Sequence, residues 1–310
     1  MTRLGLWLSD LDRGSGSNGL LHDASAAADA AERAGFDSLW VSDRIATVGG
    51  DLDPLRPVFE AYSLLGALAT RTRSIRLGAL PLGAETRAPS MVAKIVTGID
   101  VISHGRSVVT LGPGHEGGGL DVGRLAEGLQ VCRSVLDDEA PHFAGSFYAI
   151  DGATNRPRPV QVGGVPLVVF INQDDPARRD ARPDVLRVAA RYADAVVLGG
   201  DMSSVGEAVN VVETASSAHG RRPGSVEVIW TGAASLESGS ARGRESSSNG
   251  SWSECAAQVA SQVRERLAAG AGGCIVAIAG FDQLEAIAAL GTALRDVIGS
   301  APTGADTVDG

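Results

Sequence analysis

The chain has 310 residues, enough for one large domain, and a complete α/β barrel needs about 250. Hydrophobic residues make up 44% and charged residues 21%, a balance that excludes a disordered chain and allows a sizeable core. The formal charge of −10 argues against non-specific binding to nucleic acid or to an anionic membrane surface.

At the start, Met1 to Asp10 lacks the basic stretch and long apolar run of a secretory leader. No later segment reaches the ~18 uninterrupted apolar residues of a membrane span. A cytoplasmic protein is the expectation. Short apolar runs then alternate with longer helical patterns. The predicted strands are Leu4–Ser9, Ser38–Ser42, Ser74–Leu80, Arg106–Gly112, Pro166–Ile171, Ala195–Leu198, Val226–Thr231 and Gly273–Ile278. They read as continuous apolar stretches, the pattern of strands covered on both faces. Eight such strands, each followed by a helical pattern, predict a closed parallel (β/α)₈ barrel of the TIM type.

The helical stretches carry their own signals. In the first, Leu20, Ala24, Ala27, Ala28 and Ala31 recur at helical spacing, and Gly35 stands where a C-terminal cap belongs. In the fourth, Leu125, Leu129, Cys132 and Leu136 make one stripe. Ser204 and Glu207 fit a capping box ahead of the sixth. Cys255, Val259, Val263 and Leu267 line the seventh; Asp282 and Glu285 open the eighth, with Leu284, Ile287 and Leu294 following. Two places break the rhythm. Ala140–Val165, with its Phe143–Ile150 run and Arg156-Pro157-Arg158-Pro159, reads as a hairpin-like excursion ending in a stiff extended segment. Leu236–Trp252, rich in Ser and Gly, reads as a mobile loop after the seventh strand. One domain over residues 1–299 and a disordered tail over 300–310 complete the expected organisation.

Cys132, Cys255 and Cys274 are odd in number and widely spaced, which suits buried apolar thiols rather than a disulfide framework or zinc site. The five histidines, His22, His104, His115, His142 and His219, include no close pair for a metal. In a parallel barrel the chemistry lies at the strands' C-terminal ends. There the sequence offers Ser9 and Asp10; Ser42, Asp43 and Arg44; Leu80, Pro81 and Leu82; Gly112, Pro113, Gly114 and His115; Asn172; Gly199, Gly200 and Asp201; and Gly280. Glycines at such a mouth let a ligand approach backbone N–H groups, although each also suits an ordinary turn.

Four stretches resemble the luciferase-like family of flavin- and deazaflavin-dependent oxidoreductases, which includes monooxygenases. They are Ala31-Glu32-Arg33-Ala34-Gly35-Phe36-Asp37 running into Ser38–Asp43, then Leu68-Ala69-Thr70-Arg71-Thr72 with Ile75–Gly78, then Ile102-Ser103-His104-Gly105-Arg106, and Ala189-Ala190-Arg191-Tyr192-Ala193-Asp194. The resemblance implies a hydride carrier, coenzyme F420 or FMN, across the barrel mouth, and a homodimer. It implies that Asp43 touches the cofactor and that Leu80, Pro81 and Leu82 form a bulge behind its ring. A cis bond at Leu80–Pro81 would be cheap for that bulge; an ordinary trans proline at a strand end is the alternative. Gly112 and Gly114 match the family's turn after strand four. Asn172, Gly199 and Gly200 are the remaining candidate cofactor contacts.

Departures from the family pattern refine the expectation. Arg44 stands where many relatives have histidine, and a guanidinium keeps its proton near neutral pH. Arg44 would bind or stabilise negative charge on the substrate, unless it only pairs with Asp43 or Asp51. His115 is then the candidate proton donor, against the alternative of an incidental loop histidine. Phe170 and Ile171 replace the family's paired glycines and threaten a phosphate site. Gly114–Gly123 replaces a longer insertion. Arg156, Arg158, Arg178, Arg179 and Arg182 would grip the polyanionic tail of F420 if they converge; otherwise they are solvated surface. The expected activity is hydride transfer between F420 (alternatively FMN) and a small organic substrate, with reduction favoured. A cofactor-free barrel acting as a binding or scaffold protein is the competing reading.

Overall fold

The computed structural model describes residues 4–9, 16–43, 59–81, 87–113, 121–172, 182–199, 205–234, 252–278 and 283–299. Eight parallel strands form one sheet: β1 (Leu4–Leu8), β2 (Ser38–Asp43), β3 (Arg76–Pro81), β4 (Val109–Leu111), β7 (Leu167–Asn172), β8 (Ala195–Gly199), β9 (Glu227–Ala234) and β10 (Gly273–Ile278). Their order is β3-β2-β1-β10-β9-β8-β7-β4. The cylinder closes through a single bridge between Leu77 and Ser107, where Leu77 N donates to Arg106 O at 2.8 Å and Val108 N to Leu77 O at 3.1 Å. The helices α1 (Gly16–Ala34), α2 (Ala61–Ala69), α3 (Pro89–Ser103), α4 (Val122–Asp137), α5 (Arg182–Tyr192), α6 (Val205–Ala218), α7 (Trp252–Ala268) and α8 (Gln283–Gly299) alternate with these strands. The expected (β/α)₈ architecture is therefore the one observed. The excursion after α4 is an antiparallel hairpin of β5 (His142–Ala144) and β6 (Ala149–Asp151).

Helix packing follows the apolar stripes. Leu20, Ala24, Ala27, Ala28 and Ala31 are all buried, and alanine's small side chain lets α1 lie close on the sheet. Gly35 ends α1 at φ 86°, a conformation glycine adopts without strain. Phe36 N then donates to Ala31 O at 3.0 Å. The α4 stripe is buried as expected. Three boundaries differ. Trp252 opens α7 and is buried there, since an indole with apolar neighbours gains more by packing than in a loop. The α7 stripe centres on Ala256, Val259, Ala260 and Val263, which leaves Cys255 and Leu267 on its flank. Leu284 is 38% exposed because α8 turns Ile287, Leu290 and Leu294 inward. Ser204, Asp282, the loop over 236–251 and the tail over 300–310 lie outside the described residues.

The N-terminal rim of the barrel is stitched by buried or half-buried polar side chains. Glu32 Oε1 accepts from the amides of Arg73 (2.9 Å), Ser74 (2.6 Å) and Ile75 (2.9 Å). Arg106 donates to Ala69 O (2.9 Å), Thr72 O (2.9 Å), Ile75 O (2.6 Å), Ser103 O (2.8 Å) and Thr72 Oγ1 (2.8 Å). Asp100 is fully buried and accepts from Ser107 Oγ and from the backbone of Val160 and Gln161. Asp194 accepts from Leu167 N and from Arg133.

Candidate active site

Alternation along the strands decides which side chains enter the barrel. Following the parallel register round the sheet places Ser38, Val108, Ala195 and Gly273 at the lowest interior level. Gly5, Gly78, Val168 and Ile229 come next, and Trp40, Thr110, Val197 and Ile275 above them. The Trp40 ring fits because a Cβ on Gly78 would overlap it, and its Nε1 donates to Ser38 Oγ at 2.9 Å. Such layering of four side chains is how barrels of this size fill their interior.

The next level holds Trp7, Leu80, Phe170 and Thr231. Trp7 and Phe170 are half-buried and form an aromatic floor. The level above this floor holds small residues among the described ones: Ser42, Gly112, Gly199 and Ala277. Trp7 Nε1 donates to Ser42 Oγ at 3.0 Å, which pins the indole flat against the β2 side. Among the described strand residues, the change from large to small side chains at this level leaves a step, the recess, at the C-terminal end of the barrel. Two buried hydroxyls, Thr110 Oγ1 and Thr231 Oγ1, have no hydrogen-bond partner among the described residues. A buried hydroxyl without a partner costs about 1–3 kcal/mol, so Thr231, in the floor itself, is suited to a ligand that supplies one.

One edge of the recess carries charge. Asp43 ends β2 with alternation turning it toward the helical layer, and its side chain is only 8% exposed. Its Oδ2 takes a hydrogen bond from Arg87 Nη1. Arg87 Nη2 donates to Glu60 Oε1 at 2.9 Å. Glu60 also caps α2, accepting from Tyr62 N at 3.2 Å and Ser63 N at 2.7 Å. The Arg87 guanidinium lies 5.1 Å from the centre of the Tyr62 ring. Burial pushes the Asp43 carboxyl above the ordinary aspartate value; the hydrogen bond and charge of Arg87 pull it back, and Glu60 adds to the rise. Burial likewise raises the Tyr62 phenol, with the Asp43 charge reinforcing it. The Cys132 and Cys274 thiols, both pushed up to about 12 by burial, are inert core groups.

The register places Leu80 in the floor and Gly112 and Gly199 in the level above it. Among the described residues the cis bond found is Arg156–Pro157, and Leu80–Pro81 is not among the cis bonds. The backbone of Pro81 pairs with Asp43 and that of Asn172 with Gly199, at the same rim. Arg44, Leu82, Gly114, His115 and Gly200 lie outside the described residues, as do Arg178 and Arg179. The concern over strand five resolves by parity: Ile171 is turned outward into the core beneath the helices, and Phe170 belongs to the floor below the small residues. The described arginines of that set do not converge. Arg158 donates to Asp138 O at 2.7 Å just past the end of α4, on the N-terminal side, whereas Arg182 opens α5 on the opposite side. Arg156 and Arg158 follow the hairpin down the outside of α3 and α4, and that carries them away from the mouth.

Sequence reasoning missed Arg87, Glu60, Trp7 and Thr231. Arg87 left one signal: a cation just ahead of a helix N-terminus is disfavoured by the helix dipole and so needs a counter-ion. Trp7 and Thr231 looked like any strand residue until the register gave their level.

A parallel eight-stranded barrel whose recess lies at the strands' C-terminal ends has the architecture of a TIM-barrel enzyme. The model of the luciferase-like monooxygenase family matches residues 1–293, and the chain belongs to that family. A 5,10-methylenetetrahydromethanopterin reductase from Archaeoglobus fulgidus is 25% identical over 176 residues, 54% of this chain and 46% of that protein. An F420-dependent glucose-6-phosphate dehydrogenase from Nakamurella multipartita is 28% identical over 183 residues, 54% of this chain and 49% of that protein. The chain thus spans about half the length of these curated relatives. Among solved structures, the coenzyme F420 dependent tetrahydromethanopterin reductase from Methanopyrus kandleri superposes with a TM-score of 0.71 at 15% identity, covering 95% of this chain and 99% of that one. That likeness extends the shared fold across the barrel. No helix among the described residues is long and apolar enough to cross a membrane.

Proposed function

We propose that this chain is an oxidoreductase that holds coenzyme F420, with FMN as the alternative, across the recess and passes a hydride to a small organic substrate. The observation that carries the reading is the ring of Ser42, Gly112, Gly199 and Ala277 above the Trp7–Phe170 floor. It leaves space for a planar ring system over an aromatic base. The relatives named as F420-dependent dehydrogenases favour the deazaflavin over FMN. When bound, such a cofactor supplies a hydride donor or acceptor. The residues supply the rest. Gly112 and Gly199 admit the ring close to the backbone, Thr231 offers it a hydroxyl, and Leu80 supports it from below. Asp43 accepts a hydrogen bond at the edge, with the backbones of Pro81 and Asn172 beside it, and Leu82, Gly114 and Gly200, outside the described residues, complete the proposed contacts. Arg44 keeps its proton and stabilises negative charge on the substrate, which favours reduction over alcohol oxidation, and His115 donates the proton.

Titrating the purified chain with F420 and with FMN, following quenching of tryptophan fluorescence, tests the reading. Saturable binding with one cofactor per chain is expected, with F420 the tighter. Absence of binding by both refutes it.

The same reading includes a homodimer and a cytoplasmic setting. Met91 (55% exposed) and Ile102 (47%) flank Ile95 and Gly98 on the outer face of α3, at the spacing of a helix–helix seam. Sedimentation of the wild type should give a dimer and of Ile102→Glu a monomer. Cys132 and Cys274 as buried thiols suit the reducing compartment.

A further inference from the structure

Arg87 spends both ends of its guanidinium on carboxylates. Nη1 reaches Asp43 at the end of β2, and Nη2 reaches Glu60 at the start of α2. Its flat face lies over Tyr62. Glu60 is itself anchored, because its two oxygens cap the first turn of α2. The guanidinium is therefore fixed at three points, and only one of its partners stands at the strand ends. Asp43 in turn offers a single oxygen to Arg87. Its other oxygen, Oδ1, has no hydrogen-bond partner among the described residues.

A side chain with 8% exposure and one acceptor unused by the described residues is well placed to serve a ligand, provided that it stays charged and still. The groups that face it are Arg87 from the entrance of α3, and Glu60 and Tyr62 from α2, with the Cys132 thiol of α4 behind the Tyr62 ring. Among these Arg87 alone is cationic. Among the described residues two carboxylates surround one guanidinium, so removal of Arg87 would set Asp43 against Glu60 with no other described cation beside them.

We propose that Arg87 is a positioning residue: it fixes the Asp43 carboxylate at the rim as an ionised acceptor, with Oδ1 held ready for an N–H donor of the bound cofactor ring. The proposal rests on the reading of the recess as an F420 or FMN site. It assigns Arg87 no contact with substrate; Arg87 acts through Asp43.

The test has two readouts. The first is the titration of the Asp43 carboxyl carbon by NMR in the cofactor-free chain, assigned with Asp43→Asn. Arg87→Gln should raise the midpoint by about one pH unit or more, the size expected for loss of an opposite charge within hydrogen-bonding distance. Glu60→Gln removes a like charge and should move it the other way. Arg87→Lys keeps the charge and should leave it close to wild type. The second is F420 affinity between pH 5.5 and 8.5. Arg87→Gln should bind about tenfold more weakly at the acid end and recover most of the loss at the alkaline end, where Asp43 ionises unaided. Arg87→Lys should lose a constant few-fold at every pH because it makes one contact instead of two. Asp43→Asn should be weak throughout. If Arg87→Gln does not fold, as judged by circular dichroism, the Lys and Glu60→Gln variants decide the question by the same readouts. An unmoved Asp43 midpoint overturns the proposal. So does wild-type affinity for Arg87→Gln at all pH values. If the wild type binds neither cofactor, the reading of the recess fails instead, and the carboxyl titration still decides whether Arg87 controls Asp43.

Discussion

The two rims of the barrel treat polar groups in opposite ways. At the N-terminal rim three charges are saturated by the chain itself: Glu32 by three backbone amides, Arg106 by four carbonyls and a hydroxyl, and Asp100 by Val160, Gln161 and Ser107, although the Ser225 hydroxyl just ahead of β9 has no partner among the described residues. At the C-terminal rim Thr231 has no partner among the described residues and Asp43 uses one oxygen of two. Satisfied groups stabilise; unsatisfied ones cost stability and persist where a ligand repays the cost. The three saturated charges of the lower rim thus serve the fold, and the proposed cofactor site draws on Asp43 and Thr231 of the upper one.

That division can be broken by substitution. The largest effect is expected at the lower rim. Arg106→Ala strands four buried carbonyls and should cost about 3–4 kcal/mol in urea unfolding, with the cofactor affinity of the remaining folded protein unchanged. Gly199→Val fills the ring above the floor. It should weaken F420 binding at least about a hundredfold, roughly 2.7 kcal/mol, with little change in Tm. Glu32→Ala frees three amides at once and should cost about 2 kcal/mol of stability. The Glu32 carboxyl is raised by burial but lowered further by those amides, to a net value below the ordinary glutamate range. Its contribution is therefore present above the unfolded pKa and lost as pH falls through the folded one. Wild type and Glu32→Ala should converge in stability on acidification. The smallest effect is the most discriminating. Thr231→Val removes an orphaned hydroxyl and should stabilise the free chain by about 0.5–1 kcal/mol while weakening F420 by about tenfold. A loss of stability there would mean that the hydroxyl serves the fold, and the contrast between the rims would narrow.

The same division explains what the sequence made legible. The four stretches that carry the family resemblance each include the turn where a helix returns to a strand, at the N-terminal rim, and the first runs on through β2 to Asp43. Glu32 and Arg106 within them each bind several backbone groups across sequence distance, and Asp194 joins Leu167 N to Arg133. Strands showed as apolar runs because both faces are covered, and α1 showed through its alanine spacing. The recess was harder. Leu80, Gly112 and Gly199 were found because strand ends point to them. Trp7, Phe170 and Thr231 needed the register, which no local pattern encodes, to show that they share one level. Glu60 and Arg87 meet Asp43 only because β2, α2 and the entrance of α3 converge in space, 27 residues apart in the case of Glu60 and Arg87. Leu284 and Trp252 were misread because a helix's inward face is set by its docking on neighbours rather than by its own first apolar residue.

The most direct measurement is a structure of the chain soaked with F420. The account predicts the deazaflavin ring seated on Trp7 and Phe170, within the ring of Ser42, Gly112, Gly199 and Ala277, with Thr231 Oγ1 and Asp43 Oδ1 in hydrogen-bonding contact. A cofactor bound elsewhere on the barrel, or side chains from the βα loops filling that recess in the soaked crystal, would contradict it.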